Sequence, residues 1–555
     1  MEKVFNISRC FPIFGMKTAV VCSKLNKDMK KTVIKLSLAL FTLGLSTISY
    51  AQEKDILNWY NGKTPGMNTE KAYKMVKKKE STTVVVAIID SGIDTNHEDL
   101  QGQIWVNEKE IPGNGIDDDG NGYIDDVHGW NFLGNANGEN MNDAALEVTR
   151  LYAELKAKYD GKSEDEVEDK AEYAFYKEVK DTYNTKRNEF EGYLTQINMF
   201  KDQMLPMIPT MVGTALGKED YTIKDLEKWK PEDAQMQQMK QVAIAIKSGE
   251  LTPEVLDEQL EQIQGMMDTH YNLEKDFRSV VGDNPNDFAD VKYGNGDVKG
   301  PDALHGTHVG GIVGSVRGNG LGGDGVATNI KLMSVRAVPN GDEYDKDIAL
   351  AIRYAVDNGA KVINMSFGKA FSPHQKEVYE AMRYAEKNDV LLVNAAGNDA
   401  INLDEENSFP SSRYDFQESD NELLITIGAS TRFAKNGELA AAFSNYGKTT
   451  VDIFAPGFEI YNTVPENEYQ KLQGTSMAAP MVSGVAAMIK SYYPSLTMKE
   501  IKDIIIESGK DYSGTMHTKP GASEKVDFGT LSKTGKVVDL LAAMKLAEVK
   551  AAAKN

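Results

Sequence analysis

The chain has 555 residues, 41% hydrophobic and 26% charged, enough for one large core with added elements or for several domains. A formal net charge of −21 argues against a nucleic-acid or anionic-membrane partner and suits solubility and cation binding.

In chain order, Met29-Lys30-Lys31 opens a basic stretch. The apolar run VIKLSLALFTLGLSTI follows, interrupted by Lys35, and Ser49-Tyr50-Ala51 gives a small-x-small cleavage pattern before Gln52. The run is short for a membrane span. The pattern predicts a signal peptide over 29–51, with residues 1–28 a mis-called extension; an N-terminal anchor is the competing reading. Cys10 and Cys22 both precede Met29, so the exported chain would have no disulfide or thiol chemistry. A periplasmic, cell-surface or extracellular protein without stable membrane insertion is expected.

TTVVVAIIDSGID (82–94) is a continuous apolar run ending in a carboxylate, the signature of a strand buried on both faces. Then comes NGIDDDGNGYIDDVHGWNF. Asp117, Asp119 and Asn121 stand at positions 1, 3 and 5 of a calcium loop, Gly122 allows the sharp turn at 6, and the Tyr123 carbonyl falls at 7. His128 replaces the bidentate Glu of position 12, so the loop is not an EF-hand, and Asp125 or Asp126 would close the shell. An acidic turn without metal is the alternative.

Residues 140–285 are polar and rich in Lys, Glu, Met and Gln. Ser163 and Glu166 form a capping-box pattern, and Val167, Ala171, Ala174, Val179, Tyr183, Phe190, Leu194 and Ile197 recur at roughly helical spacing. Thr252-Pro253 opens another helix. The stretch reads as a helical insertion: a lid over a site, a surface for a partner or for self-association, or a structural addition.

Beyond it, apolar runs at 330–338, 360–368, 389–398, 422–430 and 450–457 alternate with helical patterns such as 345–359 and 373–388. This predicts an α/β fold, a doubly wound and mostly parallel sheet flanked by helices, built from 82–139 and 286–510. Met477 to Tyr493 is apolar nearly all round and reads as a buried helix. Residues 52–81 are expected to pack on this domain, and 511–555 read as a C-terminal tail.

Sites in such sheets lie beyond the carboxyl ends of the strands. Asp90, Ser366 and Asn398 occupy such ends, and His305 lies in HGTHVGGIVG. Ser476, in QGTSMAAP, is either a helix cap or a nucleophile. Singly, Asp90 is also a cap or structural carboxylate, His305 and His308 are also metal ligands, and Asn398-Asp399 is also a turn. His97, His128, His270, His374 and His517 have no constellation around them.

Together, VVVAIIDSGID, HGTHVGGIVG and QGTSMAAPMVSG, in that order, resemble the signature motifs of subtilisin-like serine peptidases; INMSFG, AAGN, AFSNYG and FAPG are secondary matches. The resemblance implies that Asp90 orients the imidazole, His305 is the general base and then acid, and Ser476 attacks the scissile carbonyl. Asn398 and the Ser476 N–H would form the oxyanion hole. Ser366, Phe367 and Gly368, with Ala395, Ala396 and Gly397, would wall the S1 pocket, read as open and uncharged. It also implies polypeptide substrates and makes structural Ca2+ a reasonable cofactor. His308 is then a packing partner. Two departures stand out: about 30 residues separate the predicted cleavage site from the Asp90 strand, where many members carry a longer propeptide, and the insertion separates Asp90 from His305, a stretch that the logarithmic cost of loop closure tolerates. A narrowly specific processing peptidase, a binding module with an inherited site, and a metallohydrolase using His305 and His308 are the competing readings.

Overall fold

The structure, a computed structural model, describes residues 56–554 except Glu232 and Glu418. The predicted leader and cleavage site lie outside the described residues. Among these, no helix is long and apolar enough to cross a membrane. The chain divides into two compact units: 148–275, and a larger one made of the residues before and after it.

The larger unit is organised by a ten-stranded, mostly parallel sheet. Its strands are β1 (Val84–Asp90), β2 (Gly129–Asn131), β3 (Ile330–Arg336), β4 (Val362–Met365), β5 (Leu391–Ala395), β6 (Leu424–Phe433), β7 (Glu438–Ala440) and β8 (Ile453–Pro456), completed by β11 (Lys510–Asp511) and β14 (Lys536–Val537). The Val and Ile runs become central strands because their branched side chains are stiff and fit a pleated surface covered on both faces. β1 lies in the middle, parallel to β3 on one side and β4 on the other. The chain therefore reverses its direction of build across β1, and the crevice at that reversal is where a site belongs.

Helices Leu304–Gly314, Thr475–Tyr492, Met498–Ser508 and Leu540–Ala552 contribute to the apolar core on one face. Asp345–Asp357 and Gln375–Lys387 cover the other. A hairpin of β9 (Ile460–Val464) and β10 (Glu468–Leu472) lies outside the main sheet, as does the pair β12 (Met516–Thr518) and β13 (Lys525–Asp527).

Residues 56–80 belong to this unit. Trp59, Tyr60, Met67 and Val76 join its core, and the Tyr60 hydroxyl donates to the Asp324 carbonyl at 3.1 Å. The stretch read from sequence as a tail is integrated too. β14 runs parallel to β8, and helix Leu540–Ala552 buries Leu540, Ala543, Met544 and Ala547. A two-residue strand and a buried face made largely of alanine leave little periodic signal in the sequence.

The smaller unit is helical. Its longest helix, Lys170–Met199, is capped by Asp169, whose carboxylate accepts the Glu172 N–H. Thr252 caps Pro253–His270 in the same way. Ile197, Phe200, Val212, Leu226, Val242 and Ile263 form one apolar centre.

Candidate active site

Asp90 is the last residue of β1 and is buried. Its Oδ1 accepts the Ser91 N–H at 2.8 Å and lies 2.7 Å from His305 Nδ1. Because a carboxylate only accepts, Nδ1 carries the proton and Nε2 is left as the basic nitrogen. Asp90 Oδ2 is buried without a hydrogen-bond partner among the described residues, so its charge is held beside the imidazole. Burial pulls the His305 pKa down; the charge and hydrogen bond of Asp90 outweigh it and hold it above the ordinary value. The imidazole side chain remains 37% exposed, open to an incoming group.

His305 reaches Asp90 because its helix approaches the loop after β1 at Gly306, where an added Cβ would lie 2.2 Å from the Gly92 carbonyl oxygen. Arg336, opposite Asp90 at the end of β3, fixes that loop from below. It is buried and donates to the Ser91 carbonyl, the Asn131 side chain and the Met141 carbonyl at 3.0, 2.9 and 2.7 Å. Sequence reasoning assigned it no role; the only signal was a cation closing an apolar strand.

Ser476 is the second residue of helix Thr475–Tyr492 and does not cap it; the N-cap is Gly474. Pro480, four residues on, has no N–H for the Ser476 carbonyl, and the Ser366 hydroxyl donates to that carbonyl instead, at 2.9 Å. Ser476 Oγ in turn donates to the Ser366 carbonyl at 3.2 Å. Among the described residues no hydrogen bond joins Ser476 Oγ to His305. Asn364, buried in β4, holds Ser366 through Nδ2 at 2.9 Å and accepts from Ser483 through Oδ1 at 2.9 Å.

Asn398 Oδ1 accepts the Thr475 N–H at 2.8 Å and the Thr475 hydroxyl at 3.1 Å. The backbone N–H demands an acceptor, so the amide orientation is fixed and Nδ2 remains a donor. The Ser476 N–H, in the first helical turn, lacks an intrahelical acceptor by position. Two donors and a helix N-terminus thus flank the serine, an arrangement that stabilises developing negative charge.

Ser366–Gly368 continue from β4 and Ala395–Gly397 from β5. Phe367 is buried and groups with the apolar cluster that includes residues of helices Asp345–Asp357 and Gln375–Lys387. Immediately beyond the first wall, buried Lys369 binds Glu147 and Asp345 at 2.7 and 2.8 Å and donates to the Glu343 carbonyl at 2.8 Å. This cluster unites three distant segments and was not legible in sequence.

His308 is buried and its Nε2–H donates to the carbonyls of Ile460 and Gln470, both at 3.1 Å. Burial pushes its pKa down to about 3. Among the described residues, the one group of three or more side chains able to hold a metal ion is Glu110, Asp117 and Asp119, and neither His305 nor His308 belongs to it.

In the acidic loop, Asp117 and Asp119 converge with Glu110, one carboxylate oxygen from each lying within 4.8 Å of the others. Glu110 was not foreseen. Hard carboxylate oxygens at this spacing suit Ca2+. Asn121 folds back, its Oδ1 accepting the Tyr123 N–H at 2.8 Å. Asp125 instead gathers the N–H groups of Gly113, Asn114 and Gly115 at 2.8 to 3.2 Å. Asp126 is buried under Asn107, Asn121 and Tyr354, at 2.8, 3.1 and 2.7 Å. Neither belongs to the convergent group of Glu110, Asp117 and Asp119.

The family model described as the subtilase family matches residues 81–529. The chain is 37% identical over 230 residues to a thermophilic serine proteinase of Bacillus sp. (strain AK1), covering 41% of this chain and 51% of that protein. It is 35% identical over 234 residues to a cell wall-associated protease of Bacillus subtilis (strain 168), covering 41% and 24%. The chain thus spans about half or less of these relatives' length. Among solved structures, a protease of Pseudoalteromonas arctica PAMC 21717 aligns with a TM-score of 0.37 and 29% identity over 46% of this chain and 78% of that one. A cold-adapted subtilisin-like serine proteinase aligns with a TM-score of 0.34 and 26% identity over 43% and 78%.

Proposed function

The chain belongs to the subtilase family, and from that premise we propose that it is an exported serine endopeptidase working through Asp90, His305 and Ser476. The observation that carries this is the 2.7 Å contact between His305 Nδ1 and Asp90, which leaves Nε2 basic and exposed. Ser476 Oγ turns from the Ser366 carbonyl toward Nε2, gives up its proton there and attacks the carbonyl carbon of the scissile bond. The oxyanion is held by Asn398 Nδ2 and the Ser476 N–H, a single donor of this kind being worth about 3–4 kcal/mol. His305 passes the proton to the departing amine as the C–N bond breaks. Water, deprotonated by the same nitrogen, then releases the acyl group and restores the hydroxyl. Asp90 keeps the tautomer and stabilises the imidazolium.

Ca2+ bound by Glu110, Asp117 and Asp119 would supply structural charge compensation to the loop; no chemical step needs it. Polypeptides are the substrates on this reading, and the charge of −21 favours secreted solubility.

The test is labelling by a serine-directed fluorophosphonate together with casein hydrolysis, comparing the chain with Ser476→Ala. Labelling and hydrolysis should both vanish in the variant, by about 10⁶-fold in rate. A folded wild-type chain that neither labels nor cleaves would overturn the reading.

A further inference from the structure

The helix that begins at Ser476 is short of a donor in its first turn. Pro480 has no N–H to offer the Ser476 carbonyl, and the Ser366 hydroxyl serves it at 2.9 Å. That contact sets the direction of every hydrogen bond behind it. A carbonyl only accepts, so the one proton of the Ser366 hydroxyl is committed to it. The Ser366 oxygen must then accept, which places Asn364 Nδ2 on that side at 2.9 Å and turns Oδ1 toward Ser483. Ser483 Oγ donates to Oδ1 at 2.9 Å, a shorter contact than its 3.3 Å to the Ala479 carbonyl. Ser483, Asn364, Ser366 and Ser476 thus form a chain in which each donates to the next.

The chain returns to the helix on which it starts. Ser476 and Ser483 lie about two turns apart on helix Thr475–Tyr492. Asn364 lies in β4, where it pairs with Ile88 of β1, two residues before Asp90. One amide therefore ties the helix of the nucleophile to the strand beside the one that carries the partner of His305. Asn364, Ser366 and Ser483 are all buried, so a broken link leaves a polar atom unpaired where that is costly. The Ser366 carbonyl also accepts from Ser476 Oγ at 3.2 Å, so Ser366 holds both the backbone and the hydroxyl of Ser476.

We propose that Asn364 is a positioning residue for Ser476, oriented by Ser483 and acting through Ser366. The inference rests on the peptidase reading and adds to it groups that never touch substrate. With Ser483 in place the amide has one orientation. Without it the amide turns over, and Oδ1 competes with the Ser476 carbonyl for the one proton of Ser366. The first turn of the helix then loses its anchor, and a nucleophile displaced by about 1 Å can lose about a hundredfold in rate.

The test measures kcat and KM on a chromogenic peptide, the rate of fluorophosphonate labelling and thermal unfolding, for the full chain and for Ser483→Ala, Asn364→Leu and the double variant. In Ser483→Ala, kcat and the labelling rate should fall together by about tenfold or more, while KM stays within about twofold. Asn364→Leu, close in volume, should show the same split. Because Ser483 acts only through Asn364, the double variant should lose no more than Asn364→Leu alone. Should Asn364→Leu fail to fold, Ser483→Ala decides, since alanine suits a helix interior. Wild-type kcat and labelling in Ser483→Ala, even with a lowered melting temperature, would make the chain purely structural and overturn the proposal. A raised KM at unchanged kcat, or losses that add in the double variant, would do the same. A wild-type chain that neither labels nor cleaves overturns the peptidase reading and this proposal with it.

Discussion

Helix glycines are packed more closely in the sheet-bearing unit than in the helical one, where the tightest, Gly213, would place a Cβ 3.1 Å from the Lys218 carbonyl oxygen. In the sheet-bearing unit, a Cβ on Gly311 would lie 2.0 Å from Thr463 Oγ1, and one on Gly484 would lie 2.5 Å from Val326 Cβ. In the helical unit, Gly192 and Gly265 have nothing within 4 Å of such an atom. Charge follows the same division. Arg336, Lys346 and Lys369 are buried with organised partners in the first unit, whereas the ion pairs Lys218–Asp225 and Lys201–Asp257 of the second leave their acids substantially exposed. Close approach is needed where several segments must deliver single atoms to one point; a helical unit that buries one apolar centre asks only for volume and periodicity.

The contrast can be broken or sharpened by experiment. Gly306→Ala places a methyl group against the rigid Gly92 carbonyl, and should reach or exceed the upper end of the about 1–3 kcal/mol typical of overpacking. Hydrolysis should fall with it, as His305 leaves Asp90. Thermal unfolding followed by circular dichroism checks this; an unchanged melting curve would show that the approach is slack.

Removing calcium comes next. If the ion is present at about 100 times its Kd, chelation withdraws about 2.7 kcal/mol from the unit that holds Glu110, Asp117 and Asp119. Calorimetry with and without EDTA should show the transition of that unit shift down, and Asp117→Asn should abolish the difference. Equal transitions in both buffers would remove the calcium assignment.

The pH profile gives a smaller effect. Since Asp90 holds the His305 pKa above its ordinary value, the acid limb of kcat/KM should fall at a midpoint above about 6.5. Activity appears as pH rises through that midpoint. The stability contributed by the charged His305–Asp90 pair has the opposite sense, fully present below the unfolded pKa and lost as pH rises through the folded one. In the residual activity of Asp90→Asn the limb should move down, because burial then acts on the imidazole unopposed. A limb that stays in place would mean that another group controls it.

The smallest effect belongs to the helical unit. Gly265→Ala should stabilise its helix by about 0.5–1 kcal/mol, since no contact opposes the methyl group and the unfolded chain loses freedom. A loss of stability would show that the position is not as open as it stands.

Asp90, His305, Asn398 and Ser476 were legible because each sits in a short motif of local character: an apolar strand with a polar end, or a small-residue helix start. Sheet order was legible only as a class, since alternation of strand and helix does not say that β3 and β4 flank β1 on opposite sides. Glu110, Arg336 and Lys369 were not legible, because each acts on partners brought together by the fold. The same reason hid the role of residues 511–555. Asp125 and Asp126 were read as ligands from spacing alone, and the carboxylates that converge are Glu110, Asp117 and Asp119 instead.

The Leu540 N–H donates to the Met67 carbonyl at 2.9 Å, Asn68 Nδ2 to Asp539 at 2.9 Å, and Lys79 pairs with Glu548 at 2.6 Å. Residues separated by over 400 positions are therefore fastened edge to edge. On the proposed reading, copies of the chain are also substrates for one another, and fraying segments are where digestion begins. Buckling the early and late segments of this unit to each other denies neighbours that starting point. On that reading autolysis must wait for a larger opening, and the lifetime of the protein becomes a matter of how seldom that opening occurs.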